Sequence, residues 1–126
     1  MDDTVPVRVL VRNVPASVAF YTANLGFVDE GSQSPAFASV RRGNLVLLLS
    51  GEGSSAARPM PDGRRPEPGG WNRIQLIVDD VEAEAARLRA DGVPFRNEVI
   101  RGPGGAQTVL DDPSGNPIEL FQPAGR

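Results

Sequence analysis

The sequence predicts an α+β fold built from two tandem modules, each with the order strand, helix and three strands. Two repeated features predict it. An Asn or Asp helix cap followed by valine occurs at Asn13 and again at Asp80, 67 residues later. A Gly-Asn pair suited to a turn occurs at residues 43–44 and again at 115–116, 72 residues later. Because similar elements recur at nearly the same interval, we interpret the chain as an internal duplication with a small insertion.

The first predicted module covers about residues 5–50. Its first strand, Val5–Val11, has Pro6, Arg8 and Leu10 on one face, because side chains alternate along a strand. The later elements follow from a capping residue, a terminal glycine and β-rich stretches. They are a helix from Asn13 to Gly26 and strands at Phe27–Glu30, Ala36–Arg41 and Leu45–Ser50, the last two joined by the Gly43-Asn44 turn.

The second predicted module, at about residues 71–123, repeats this order. Asp80 caps its helix, Gly92 ends it, and glycine and proline turns bound its last three strands. The predicted elements are a strand at Arg73–Val78, a helix with the apolar stripe Val81, Ala85 and Leu88, and strands at Phe95–Val99, Gln107–Leu110 and Ile118–Gln122. Since 126 residues is the length of one ordinary domain, we expect a single domain, 1–126, that contains both modules.

A loop at residues 51–70 joins the two modules. It is rich in glycine, serine, proline and arginine and has no apolar periodicity. A loop of this length within a domain is usually either a functional segment or a linker. Two interpretations stay open: a solvated connector, or a lid that folds over a ligand and whose four prolines limit the entropy lost on ordering. In the second interpretation Met60 contacts the ligand.

The composition excludes several classes of function. The chain has no histidine and no cysteine, so the usual ligands of zinc, copper and iron and all His- or Cys-based catalysis are absent. We therefore expect no metal and no cofactor. A formal charge of −3, with 13 basic residues scattered among 16 acidic ones, argues against nucleic-acid binding. Because no apolar run of membrane-spanning length and no export signal is recognisable, we expect a cytoplasmic protein with no membrane partner.

Three segments carry a resemblance to a known family: VLVRNVPASVAFYTANLGF, IQLIVDDVEAEAARLRADGV and DDPSGNPIELFQP. They are similar to segments of the vicinal oxygen chelate superfamily, which includes glyoxalase I, extradiol dioxygenases, fosfomycin-modifying enzymes and bleomycin-resistance proteins. The resemblance covers nearly the whole chain and agrees with the two-module order. It implies the vicinal oxygen chelate fold, in which the two modules form a cupped eight-stranded sheet.

The resemblance also implies where a metal would be bound, because enzymes of this superfamily carry His or Glu at matching strand positions. In this chain the positions fall on Pro6, on either Leu47 or Leu48, on Arg73 and on Glu119. Only Glu119 can ligate a metal, and one carboxylate holds a catalytic ion poorly against water. This pattern favours the metal-free, bleomycin-resistance-like branch.

The concave face of the sheet builds the cavity in this superfamily, so the neighbours of the lost ligand positions are expected to line it. Apolar walls with a few polar groups are typical of small-molecule sites. We expect Arg73 or Arg8 to pair with Glu119 through charge-assisted hydrogen bonds. We predict no catalytic residue. The predicted ligand-binding residues are Arg8, Leu10, Phe37, Leu48, Met60, Trp71, Asn72, Arg73, Gln75, Glu119 and Phe121.

Trp71 is the only tryptophan and directly follows two glycines, Gly69 and Gly70. It can cap the sheet edge, or it can stack on a planar aromatic ligand with its indole N–H as a polar handle. A two-glycine hinge favours the ligand interpretation because it allows movement. Phe37 either forms the opposite wall or belongs to the core, and Asn72 is equally a turn residue or a ligand contact.

Two hypotheses of function follow. In the first, the chain resembles bleomycin-resistance proteins and forms a homodimer that sequesters a small, partly aromatic antibiotic in grooves at the subunit interface. In the second, it is an enzyme of glyoxalase or dioxygenase type, or a metal-independent lyase or isomerase with Glu119 as the base. An arginine beside Glu119 favours its charged form and makes it a poor base, which favours the first hypothesis. A metabolite-binding accessory protein is a third option.

Overall fold

The computed structural model describes residues 2–32 and 34–125. Within these residues the chain forms eight strands, two α-helices and one 3₁₀ helix, and neither α-helix is long and apolar enough to cross a membrane. The predicted α+β class and the repeated β-α-β-β-β order are confirmed. The elements are β1 Val5–Leu10, α1 Val14–Asn24, β2 Val28–Asp29, β3 Phe37–Arg42, β4 Leu45–Ser50, the 3₁₀ helix Ser55–Ala57, β5 Ile74–Ile77, α2 Val81–Ala90, β6 Ile100–Gly102, β7 Gly105–Asp111 and β8 Pro117–Pro123.

The chain divides into two compact units, Met1–Pro68 and Gly69–Arg126. Each unit contains one four-stranded sheet, with the order β1-β4-β3-β2 in the first and β5-β8-β7-β6 in the second. The first strand of each sheet pairs in parallel with the last, and this arrangement requires the crossover that the helix provides. The boundary between the units lies inside the predicted 51–70 loop. That both units form one domain stays a prediction.

The helix of the first unit begins where the sequence predicts. The Asn13 side chain accepts a hydrogen bond from the backbone N–H of Ala16 at 2.9 Å, which satisfies one of the free donors of the first turn. Tyr21 is 1% exposed and stacks edge-on against both Phe20 and Phe27. This aromatic cluster belongs to the core of the unit.

Side chains alternate sharply in burial along β3 and β4. Ser39 and Leu48 are half-buried, whereas their neighbours along each strand are fully buried and lie on the side of α1. We call the side opposite α1 the open face of the first sheet. The strand register places Arg8 and Ser39 on either side of Leu48 on this face. The fully buried apolar side chains of these two strands are Ala38, Val40, Leu47 and Leu49.

The second helix also forms as predicted. The Asp80 carboxylate accepts a hydrogen bond from the backbone N–H of Ala83 at 3.0 Å and caps the helix. Arg87 and Arg89 lie on its solvent side. We call the side of the second sheet opposite α2 its open face. The buried stripe that packs against the sheet is Val81, Ala85 and Leu88.

The strand predicted at Phe95–Val99 is wrong, because the second strand of the second unit, β6, begins only after it. Phe95 makes an isolated bridge with Leu110. Asn97 then interrupts the pairing, since its side-chain carbonyl accepts the backbone N–H of Val109 at 2.9 Å. A side chain that takes a main-chain hydrogen bond competes with the strand ladder, and the ladder resumes only beyond it.

The 51–70 loop contains local structure that the sequence did not predict. Ser55–Ala57 forms a 3₁₀ helix. Further along, the backbone N–H of Met60 donates to the carbonyl of Arg64 at 2.7 Å and closes a turn. Gly63 has a φ of 89° inside this turn, a conformation that favours glycine. The lid function of the loop stays a prediction.

Candidate functional site

Glu119 lies in the middle of β8 on the open face of the second sheet and is only 6% exposed. Its register partner on β5 is Gln75. Arg73 places Nε and Nη2 each 3.0 Å from Oε1 of Glu119. Gln75 donates from Nε2 to Oε2 at 2.7 Å. Both carboxylate oxygens are therefore engaged, and Arg73 rather than Arg8 is the arginine that pairs with Glu119.

We call Arg73, Gln75 and Glu119 the Glu119 cluster. A buried carboxylate is stable only when it is paired and hydrogen-bonded, and the two donors meet both needs. Arg73 also donates from Nη1 to the backbone carbonyl of Trp71 at 3.4 Å. The cluster therefore joins the middle of β8 to the segment that leads into β5. An incoming metal or proton donor would have to displace these hydrogen bonds to reach Glu119.

The remaining positions implied by the resemblance do not supply a metal site. Leu48 shares the open face of the first sheet with Pro6, whereas Leu47 is fully buried on the side of α1, so Leu48 occupies the second position. Neither Pro6 nor Leu48 has a ligating atom, and Arg73 occupies the third position. In the described ranges 2–32 and 34–125, no three His, Cys, Asp or Glu side chains are grouped to hold a metal. A metal centre of the family type does not fit these side chains.

Four predicted ligand-binding residues share the open face of the first sheet. Arg8 donates from Nη1 to Oγ of Ser50 at 3.1 Å, and its guanidinium carbon lies 5.9 Å from the ring centroid of Phe37. Ser50 pairs in register with Leu10 on one side and with Phe37 on the other. Leu48 completes this face next to Arg8. The face combines apolar and aromatic surface with one held guanidinium, as small-molecule sites do.

A cavity of about 390 Å³ lies in the first unit at the carboxyl ends of β1 and β4. Small-molecule sites usually measure roughly 300 to 1,000 Å³, so the cavity suits a compact ligand. Residues 65–68 of the connecting loop form its opposite wall. Leu10, Val11 and Pro66 give it apolar surface, and its charged residues are of both signs: Arg12, Glu52, Arg65 and Glu67.

Trp71 is 71% exposed at the start of the second unit. The guanidinium carbon of Arg96 lies 4.5 Å from its ring centroid, so a cation covers one face of the indole. The two preceding glycines do not form the free hinge that the sequence suggested. Gly69 donates its N–H to Oδ1 of Asn116 at 2.8 Å, and the carbonyl of Gly70 accepts from Arg96 at 2.8 Å. The segment before Trp71 is therefore attached to the rest of its unit.

The other predicted residues lie in three different places. Phe121 is half-buried on the open face of the second sheet, in register with Ile77 of β5. Asn72 is exposed beside Trp71. Met60 is 47% exposed in the loop turn and is not among the residues that line the 390 Å³ cavity. The structure thus brings the predicted residues together in groups within each unit and leaves Met60 apart.

Sequence reasoning missed three residues that the structure places at these surfaces. Ser50 holds Arg8, and strand alternation from Leu48 could have identified it, because the two side chains share a face. Arg65 lines the cavity, but nothing local in the loop indicates that. Arg96 covers Trp71 from 25 residues away, inside the segment predicted wrongly as a strand. No periodicity or motif connects Arg96 with Trp71.

Comparison with known sequences identifies one family. The family described as "Glyoxalase/Bleomycin resistance protein/Dioxygenase superfamily" matches residues 4–120. The chain is also 31% identical over 124 residues to the uncharacterized protein YaeR of Escherichia coli strain K12, covering 92% of each chain.

Comparison with solved structures gives the same fold. TnmS3, an antibiotic binding protein from Streptomyces sp. CB03234, is 27% identical with a TM-score of 0.72, and the match covers 98% of both chains. Lactoylglutathione lyase from Agrobacterium tumefaciens is 20% identical with a TM-score of 0.74, covering 97% of this chain and 94% of the lyase. The second likeness concerns the fold alone. Proteins with this fold thus include both a binding protein and an enzyme.

Proposed function

Because this chain belongs to the Glyoxalase/Bleomycin resistance protein/Dioxygenase superfamily, we propose that it acts as one of the binding proteins of that family. In this proposal it sequesters a small, partly aromatic molecule, an antibiotic of bleomycin or related type, without a metal and without changing a bond. The observation that carries the proposal is the Glu119 cluster, in which the single carboxylate at the family's ligand positions is bound on both oxygens by Arg73 and Gln75.

The same cluster argues against catalysis by Glu119. A general base needs a carboxylate oxygen directed at the proton of the substrate. Here Oε1 faces the guanidinium of Arg73 and Oε2 faces the amide of Gln75. Proton abstraction would break hydrogen bonds that also stabilise a buried charge, and this cost favours binding over turnover.

The surfaces of both units suit a ligand with a flat aromatic part. The open face of the first sheet offers Phe37, Leu48 and Leu10, and the cavity of about 390 Å³ adjoins it at Leu10 and Ser50. Trp71 offers an exposed indole face in the second unit. Aromatic and apolar surface with few polar groups is typical of sites for drug-sized molecules.

The likeness to TnmS3 gives independent support, because that protein is described as antibiotic binding and is 27% identical over nearly the whole chain. The proposal includes a homodimer with ligand sites at the subunit interface. Large exposed apolar side chains support it, since they lie on the strands β1, β2 and β6 and exposed strands of this kind favour association. They are Val5, Val28 and Ile100. Light scattering on purified protein tests the dimer, and the cytoplasmic location stays a prediction.

The decisive experiment is calorimetric titration of the purified protein with metal-free bleomycin in EDTA. We expect binding in the absence of any metal, quenching of Trp71 fluorescence, and recovery of the drug with unchanged mass. Separate titrations of the protein without drug should show no stoichiometric binding of Mn²⁺, Ni²⁺, Zn²⁺ or Fe²⁺. Replacing Glu119 with Gln should weaken binding or stability, because the neutral amide loses the charge-assisted pair with Arg73. Turnover of the methylglyoxal adduct of glutathione or of a catechol that rises with added metal would contradict the proposal, as would failure to bind the drug.

A further inference from the structure

Arg96 is firmly anchored in the second unit, because all three of its guanidinium nitrogens donate hydrogen bonds. Nε donates to Oδ1 of Asp111 at 2.7 Å, Nη1 to the carbonyl of Gly70 at 2.8 Å, and Nη2 to the carbonyl of Gly115 at 3.0 Å. The side chain is 19% exposed. A guanidinium held by three acceptors has almost no rotational freedom, so it is a fixed partner for the aromatic ring that stacks on it.

That ring belongs to Trp71, whose centroid lies 4.5 Å from the guanidinium carbon of Arg96. Trp71 is nevertheless 71% exposed. The inner face of the indole is covered by the cation and the outer face is open. An exposed tryptophan normally samples several rotamers, and a cation on one face selects among them.

The backbone on both sides of Trp71 is held as well. Gly69 donates its N–H to Asn116 at 2.8 Å, and the carbonyl of Trp71 accepts from Arg73 at 3.4 Å. Asn116 is in turn fixed by Asp112, whose Oδ1 accepts the backbone N–H of Asn116 at 2.9 Å. The indole therefore stands on a segment anchored to the β7–β8 loop and to the Glu119 cluster.

We propose that Arg96 is a positioning residue that holds Trp71 as a preformed stacking surface for an uncharged planar aromatic part of the ligand. This inference rests on the proposed function and deepens it. A ring that is already fixed loses little side-chain entropy when a ligand stacks on it, so affinity is gained without any new contact. The anchored guanidinium beneath the ring provides this order, and no other described side chain stacks on Trp71.

The same geometry selects the charge of the planar group. A cation bound to one face of an indole disfavours a second cation on the other face, because the two like charges repel across the thickness of a single ring. Asp111 compensates the charge of Arg96 from the side and does not lie between Arg96 and the ligand face. A neutral ring system therefore stacks better on Trp71 than a cationic one of the same shape.

Trp71 is the only tryptophan, so its fluorescence and its single indole N–H resonance report on this site alone. The first test needs no ligand. We expect Arg96→Gln to lower the fluorescence anisotropy of Trp71 and to raise its acrylamide quenching constant by about twofold or more, because the ring loses its fixed partner. Arg89→Gln is the matched control, since Arg89 stacks on Phe95 at 4.2 Å and does not contact Trp71.

The second test uses bleomycin and three naphthalene probes of one shape: neutral naphthol, anionic naphthalenesulfonate and cationic naphthylmethylammonium. We expect Arg96→Gln to weaken bleomycin binding by about threefold to tenfold, while Arg89→Gln leaves it unchanged. In the wild type the neutral probe should bind more tightly than the cationic one, and Arg96→Gln should reduce this difference in affinity. Arg96→Lys should loosen the ring but keep the discrimination against the cation, because it keeps the charge and loses the three-point anchor.

The outcomes separate this inference from the proposed function. If wild-type protein binds bleomycin and Arg96→Gln binds it equally, the positioning role is wrong and the sequestering function stands. If bleomycin does not bind at all, the proposed function fails, while anisotropy, quenching and the naphthalene series still decide the role of Arg96. Unchanged mobility of Trp71 in Arg96→Gln, or tighter binding of the cationic probe by the wild type, would overturn the inference. Should Arg96→Gln not fold, Arg96→Lys and Asp111→Asn test the loosening of Trp71 by the same anisotropy and quenching measurements, because each weakens the anchor of the guanidinium or ammonium group.

Discussion

The two units share one topology but differ in the side chains at the centre of the open face. In the first unit the corresponding positions on the first and last strands are Pro6 and Leu48, and both are apolar. In the second they are Arg73, just before β5, and Glu119 on β8, which form a partly buried ion pair. The two units thus share the backbone order, while the chemistry of the open face differs between them. Helix caps and core stripes determine the topology, and they leave the open faces free to vary.

The turns before the last strand differ as well. In the first unit Gly43 and Asn44 join β3 to β4 directly, with a φ of 61° at Gly43. In the second unit five residues join β7 to β8, and Asp112 organises them by accepting the backbone N–H groups of Ser114 and Asn116 at 2.8 and 2.9 Å. Asn116 of this loop accepts the backbone N–H of Gly69 at 2.8 Å, whereas its counterpart Asn44 donates to the carbonyl of Asp3 at 3.4 Å. In each unit this asparagine therefore holds the segment before the first strand, and in the second unit that segment carries Trp71.

The largest expected effect on stability comes from the residue that begins the third strand of a unit, β3 in the first and β7 in the second. β3 begins with Phe37, but β7 begins with Gly105, which has a φ of 146° and where an added Cβ would overlap the carbonyl oxygen of Gln122. We expect Gly105→Ala to lower the free energy of unfolding by about 3 to 5 kcal/mol, measured by urea denaturation. Gly102→Ala, where a Cβ meets nothing, should change it by less than about 1 kcal/mol. Equal losses of stability in the two variants would contradict a steric overlap at Gly105.

The next largest effect concerns Arg73 and Arg8, the arginines of the two open faces. Arg73→Ala leaves the buried carboxylate of Glu119 without its cation, and we expect a loss of about 3 kcal/mol in unfolding free energy. Arg8→Ala removes one hydrogen bond to Ser50 from an exposed side chain, so about 1 kcal/mol or less is expected. Urea denaturation of both variants measures the difference. If Arg8→Ala cost as much as Arg73→Ala, the contrast between the two faces would be lost.

A smaller effect distinguishes the two faces within the first sheet. Leu47 is fully buried on the side of α1, and Leu48 is half-buried on the open face. We expect Leu47→Ala to destabilise the protein by about 2 to 3 kcal/mol and Leu48→Ala by about 1 kcal/mol. Bleomycin titration should show the opposite order, with weaker binding only in Leu48→Ala. If Leu48→Ala destabilised the protein more than Leu47→Ala, the register of β4 would be shifted by one residue and Leu48 would face α1.

The smallest effect concerns the helix caps. Asn13→Ala and Asp80→Ala each remove one hydrogen bond to a first-turn N–H, and each should cost about 1 kcal/mol in thermal or urea denaturation. Asp80 also carries a negative charge at the positive end of α2, so its replacement should cost about 0.5 kcal/mol more at low salt. High salt should remove that excess, because it screens the charge but not the hydrogen bond. An excess that persists in high salt would exclude the helix dipole as its cause.

Much of the fold could be predicted because its signals are local. The caps at Asn13 and Asp80 and the buried stripe of α2 each depend on residues within one or two helical turns, and each forms as predicted. The strand at Phe95–Val99 failed because the amide of Asn97 takes a hydrogen bond from the neighbouring strand, which no local pattern reveals. The choice between Leu47 and Leu48 likewise required the position of α1.

By itself the sequence determined the repeated order of elements, the helix ends, most of the turns and the absence of histidine and cysteine, since these follow from residue types and their spacing along the chain. The tertiary structure decided that Arg73 binds Glu119 while Arg8 binds Ser50, that residues 65–68 wall a cavity, and that Arg96 lies beneath Trp71. These contacts join side chains many residues apart on neighbouring strands and loops. Which side chains meet depends on their distance in the folded unit, and separation along the chain does not encode that distance.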